Sequence, residues 1–131
     1  MRFLIFLFLI SLNAYSQNNY DKVIFNIISD ISKERIKDDI VTLANFGTRH
    51  TLSDTVSSER GIGAARRWIK KTFESISEDC NNCLEVFDQK NYFKKNNLRL
   101  IKDVWINNVV AIQRGSKYPN RYVLMSGDID S

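Results

Sequence analysis

Apolar positions recur at helical spacing through the first half of the chain and gather into short bounded runs in the second. Tyr20, Ile24, Ile27 and Ile31 are spaced by four, three and four residues, which predicts a short amphipathic helix. Ser32 is placed to cap a second helix, with Glu34 in its first turn. Ile36, Ile40 and Leu43 form its apolar stripe, Phe46 extends it, and Gly47 is suited to stop it. Residues 48–57 are polar and without period, so a loop follows. Ser57 or Ser58 is then expected to cap the longest helix, running to about Ser77. Its face carries Ile62, Ala65, Ile69, Phe73 and Ile76, with Trp68 beside it. Arg66, Arg67, Lys70 and Lys71 lie off that stripe and read as a solvated face. Gly61 and Gly63 lack the preceding strand and third glycine of a phosphate loop, so they are expected to let the helix approach the sheet closely.

Past residue 80 the pattern changes to strands. Leu84 to Asp88 reads as one strand, and residues 89–103 as a basic sheet-edge segment with Tyr92, Phe93, Leu98 and Leu100 interleaved. Val104 to Gln113 reads as a second strand, and Arg114 to Arg121 as a turn containing Gly115 and Pro119. Tyr122 to Ser126 is apolar enough for a third strand covered on both faces, paired with 104–113 as a hairpin. Three helices followed by three strands make an α/β plan. The last strand empties into Gly127, Asp128 and Asp130, and ligands of open α/β sheets bind beyond such carboxyl ends. A D-x-D pair there points to metal or acid/base chemistry.

Composition adds limits. Residues 1–16 have the form of a signal peptide: Arg2 is the one charge, Phe3 to Leu12 is apolar but too short to span a bilayer, and Ala14 and Ser16 make a small-x-small cleavage site. The chain is therefore expected to be exported, periplasmic or secreted, with residues 17–131 as its folded part and no membrane contact after cleavage. Without the leader, 18 basic residues face 15 acidic ones, too slight an excess to imply nucleic acid. Cys80 and Cys83 have no second ligand pair for zinc, and they follow a helix where a redox dithiol would precede one. A local disulfide is the simplest expectation for an exported chain.

Four stretches resemble the co-catalytic zinc aminopeptidases, the family of aminopeptidase Y and secreted bacterial leucyl aminopeptidases, to which glutaminyl cyclases are related. They are Ile31 to Ile36 leading to Phe46-Gly-Thr-Arg-His-Thr51, the helix from Glu59 to Phe73, Asn108-Val-Val-Ala-Ile112 with Gly115, and Ser126-Gly-Asp-Ile-Asp-Ser131. The resemblance covers nearly all of the chain after the leader. It implies the amino-terminal part of a mixed-sheet, helix-flanked zinc-exopeptidase domain, truncated after the third strand, with the remainder of the domain as partner and a peptide or protein as substrate.

The last stretch is similar to the family's G-[AG]-H-x-D-S, whose His binds one of two zinc ions and whose Asp orients it. Asp130 matches that Asp, and Asp128 stands where the His is expected. A carboxylate can bind Zn²⁺ at a similar distance, so Asp128 is the candidate metal ligand and Asp130 its supporting residue. Two carboxylates this close need a cation or open water to offset their repulsion, and an all-oxygen pair leans towards metals such as Mn²⁺. His50 and Arg49, in the F-G-T-R-H-T turn, are expected to serve the framework. In the family two metals about 3.5 Å apart polarise the peptide carbonyl and activate a water. The residues present here supply only one ligand of that set, so this chain alone is expected to be inert. Three functions stay open for the longer protein: metallo-aminopeptidase, a non-catalytic binding homologue that lost its ligands, and glutaminyl cyclase.

Overall fold

A computed structural model describes residues 18–130 apart from 97 and 99; the expected leader, 1–16, lies outside them. The described residues form three helices and two strands: α1 (Asn18–Ser29), α2 (Lys33–Asn45), α3 (Gly61–Asp79), β1 (Leu84–Phe93) and β2 (Val104–Gln113). They fall into two units, one ending at Ile40 and one beginning at Val41. None of the described helices is long and apolar enough to cross a membrane.

In the first unit, α2 begins as its sequence predicts. Ser32 Oγ accepts the Arg35 N–H at 3.1 Å, the bond of an N-cap. The apolar positions of this unit stay largely open, with Phe25 69% and Ile40 61% exposed.

The second unit is built on a hairpin. β1 and β2 pair antiparallel over ten residues, from Leu84 opposite Gln113 to Phe93 opposite Val104. Alternation then assigns the faces. Leu84, Val86 and Asp88 share one with Val109 and Ala111, while Phe87 and Phe93 share the other with Val104, Ile106, Val110 and Ile112. α3 packs against this hairpin. Its amino-terminal turns form the core, where Ile62, Ala64 and Ala65 are buried along with Gly61 and Gly63.

The α/β class follows the predicted pattern, but the hairpin partner does not. Residue 104–113 pairs with 84–93 rather than with 122–126, and the described sheet has two strands. Tyr122 to Met125 form no ladder and are 75–93% exposed. A strand apolar on both faces needs cover on both, and the second unit supplies one helix. The basic segment 89–93, expected as sheet edge, continues β1. Its return is closed by Asp103, which accepts the Tyr92 hydroxyl and the Lys95 N–H at 2.9 Å.

The join between α3 and β1 is fixed twice. Cys80 and Cys83 form a disulfide, with Asn81 and Asn82 between them both at φ 59°. The buried Ser77 hydroxyl donates to Leu84 O at 3.0 Å and accepts the Leu84 N–H at 3.1 Å. Ser77→Ala leaves both Leu84 groups without that partner and is expected to cost about 1–3 kcal/mol. Closing so small a loop by a disulfide is worth about 2 kcal/mol on the chain-entropy account. Urea denaturation of Ser77→Ala, with and without reductant, checks this. A variant as stable as the parent in both conditions would contradict the role given to Ser77.

Candidate functional site

The carboxyl-terminal segment is held by Arg49. Its Nε donates to the Ile129 carbonyl at 2.7 Å, and its Nη1 donates to the carbonyls of Leu43 and, at 3.2 Å, Gly47. The expected end of α2 explains the geometry. Gly47 takes φ +66°, which turns the chain out of the helix, and Leu43 O, which also accepts the Phe46 N–H at 3.3 Å, keeps a second lone pair for the cation. Arg49 therefore pairs with main-chain oxygens, not with a carboxylate. His50 is exposed, and its Nδ1 accepts the Leu52 N–H at 3.1 Å, an arrangement internal to the turn.

Asp128 and Asp130 flank the anchored Ile129 and both are exposed. Their mutual repulsion is thus screened by water. The donor chemistry suits Zn²⁺, since a carboxylate oxygen is an ordinary zinc ligand. The donor number does not. Among the described residues no three His, Cys, Asp or Glu side chains lie close enough to share a metal ion. A closed zinc site takes four ligands and a catalytic one three plus water, so no reaction step can be derived from these residues alone.

The loop before α3 departs from its sequence reading. The helix starts at Gly61, and Arg60 in the cap position makes no side-chain cap bond. Its first N–H groups find partners elsewhere: Gly61 to Phe46 O at 2.9 Å, Ile62 to Ser53 Oγ at 3.0 Å, and Gly63 to Asp54 O at 3.0 Å. Ser57, expected as the cap, instead receives the Glu59 N–H within the loop. Asp54 accepts the N–H groups of Val56 at 2.8 Å and Ser57 at 2.9 Å, and these bonds hold its carboxyl below the usual range. Arg67 reaches back to the carbonyls of Thr55, Val56 and Ser57. The glycines of α3 therefore admit this loop rather than the sheet. Gly61 takes φ +74°, and the Gly63 position faces the main chain of Thr55.

Lys70 and Asp88 tie α3 to the hairpin at 2.6 Å, and Asp88 also accepts the Asn107 amide at 2.9 Å. The hydrogen bond from Lys70, followed by that from Asn107, depresses the Asp88 carboxyl below its ordinary 3.8. The same contact raises Lys70 above its ordinary 10.5. A depressed carboxyl stabilises the fold above its unfolded value and loses that contribution as pH falls through the folded one. A raised amine stabilises below its unfolded value and loses that contribution as pH rises through the folded one. The pair thus contributes fully between about pH 4 and pH 10. Melting curves between about pH 2 and 5 should show a fall that is shallower in Asp88→Asn; an unchanged acid limb would exclude this pair as its source.

Comparison with known proteins bears on the chain as a whole. No family model matches the chain, and no solved structure matches it significantly. Three curated relatives are each named probable zinc metalloprotease. One from Pyrenophora teres f. teres is 41% identical over 113 residues, which is 85% of this chain and 24% of the relative. One from Pyrenophora tritici-repentis is 38% identical over 113 residues, again 85% of this chain and 26% of the relative. One from Phaeosphaeria nodorum is 37% identical over 120 residues, 90% of this chain and 24% of the relative. The chain spans about a quarter of the length of these relatives. Its similarity is to zinc metalloproteases in general, along most of its own length.

Proposed function

We propose that this chain is the amino-terminal part of an exported zinc metallopeptidase that removes amino-terminal residues from peptides. The observation that carries the reading is the similarity to zinc metalloproteases over 85–90% of this chain. The narrower assignment to aminopeptidases rests on the F-G-T-R-H-T turn and the S-G-D-I-D-S end. Arg49 gives these two motifs a physical link, since it belongs to the first and holds Ile129 of the second.

In this reading Asp128 is one metal ligand, Asp130 steadies it, and the rest of a two-metal set comes from residues outside this chain. Arg49 fixes the main chain between the two carboxylates, so neither has to order its own backbone when metal binds. The complete protein is expected to release amino acids from chromogenic aminoacyl substrates, to lose that activity to a chelator, and to regain it with Zn²⁺. It should leave amino-terminally blocked peptides intact. Cleavage of blocked peptides at internal bonds would replace the exopeptidase reading with an endopeptidase one. Chelator-insensitive release would overturn the metal dependence, and no release from the metal-loaded protein would overturn the enzyme reading. The second outcome would favour a non-catalytic homologue, the reading that Asp128 supports by standing where the resembled family carries His.

A further inference from the structure

A cleft of about 730 Å³ opens between the amino-terminal half of α3, the loop before it and the hairpin. Its walls carry five cationic side chains and two carboxylates. The carboxylates are already engaged: Asp88 by Lys70 and Asn107, Asp103 by Tyr92 and Lys95. Two of the cations are engaged as well, Lys70 with Asp88 and Arg67 with three loop carbonyls. Arg66, Lys90 and Lys102 remain. Among the described residues none of these three makes a hydrogen bond or salt bridge.

Arg66 is the informative one. It is half-buried, and its Nε is shut away from solvent without an acceptor. Burial lowers its proton affinity while the Asp88 charge acts in the opposite sense; a guanidinium stays charged throughout. A partly desolvated cation whose buried Nε donor has no acceptor is costly. The natural remedy is an oxyanion lying across its terminal nitrogens, where two parallel charge-assisted bonds form. Lys90 and Lys102 on the cleft wall would raise the local positive potential and draw such a group in.

We propose that this cleft is an oxyanion site in which Arg66 grips a carboxylate or phosphate group, assisted by Lys90 and Lys102. The site uses neither Asp128 nor Asp130, so it stands or falls apart from the peptidase reading.

The test is thermal unfolding of the full-length protein in increasing inorganic phosphate, with ionic strength held constant by NaCl. A free oxyanion gives a saturable rise in melting midpoint, as expected for a ligand that binds only the folded state. Arg66→Gln should weaken that response about tenfold or more, the loss expected for a bidentate charged contact. The exposed pair Lys90→Gln and Lys102→Gln should weaken it several-fold with no change in folding, so the test survives if Arg66→Gln does not fold. If the oxyanion is instead a carboxylate of the same polypeptide, phosphate has no effect and Arg66→Gln lowers the midpoint. Absence of a phosphate response, together with an Arg66→Gln midpoint equal to or above the parent, would overturn the proposal. So would a phosphate response undiminished in both variants.

Discussion

Gly63→Ala is expected to destabilise the protein by about 3 kcal/mol or more, a large share of the 5–15 kcal/mol that holds a typical domain together. A Cβ at position 63 would lie 2.3 Å from the Thr55 carbonyl oxygen, 2.5 Å from its carbon and 2.6 Å from its Cα. All three are main-chain atoms, so no rotamer change relieves the clash and the loop must move. That movement also strains the Gly63 to Asp54 and Arg67 to Thr55 hydrogen bonds. Overpacking of about 1–3 kcal/mol and two weakened bonds of about 0.5–1.5 kcal/mol each make up the figure. Gly115→Ala is the matched control, because its Cβ would meet nothing closer than Tyr118 O at 3.5 Å, an ordinary contact. Urea denaturation should separate the two clearly. Equal stabilities would mean that the loop does not press on α3 as described.

The second large effect concerns metal. In the complete protein, Asp128→Ala should lose bound metal and reduce release of amino acids from aminoacyl substrates by at least about 100-fold, beyond what supporting residues usually cost. Asp130→Asn should be milder, with metal affinity down about 10–100-fold as for outer partners of a ligand. Metal content by elemental analysis, alongside rates, distinguishes them. Full metal and activity in Asp128→Ala would remove its assignment as ligand. Greater metal loss in Asp130→Asn than in Asp128→Ala would reverse the two roles.

How far these features could be read from the chain depended on whether their causes were local. α2 was legible at both ends because Ser32 and Gly47 act within a turn of themselves. β2 was legible because a run such as Val104 to Gln113 declares itself by composition. The start of α3 was not, since its caps come from Phe46, Ser53 and Asp54, between nine and fifteen residues upstream of the N–H groups they satisfy. Strand pairing failed for a related reason. Gly115 and Pro119 mark a turn after β2, but the alignment of ten residue pairs across a long return decided the partner. At the site, the D-x-D pair was visible as sequence, whereas the clamp on Ile129 was not. An arginine that binds carbonyls leaves no complementary charge to find. The isolation of Arg66 was equally hidden, because only the fold shows that the nearby carboxylates are spoken for.

Arg49 holds its three partners through main-chain oxygens alone. Every residue owns such an oxygen, whatever its side chain. Exchanges at Leu43 or Ile129 therefore leave the clamp's chemistry intact, while any exchange at position 49 removes all three bonds together. The burden of keeping the D-x-D segment in place is thus concentrated on a single codon. In a saturation scan scored by metal loading of the full protein, position 49 should be intolerant even of lysine, whose single ammonium lacks the fork that spans separate carbonyls. Its partner positions should vary as freely as their packing allows.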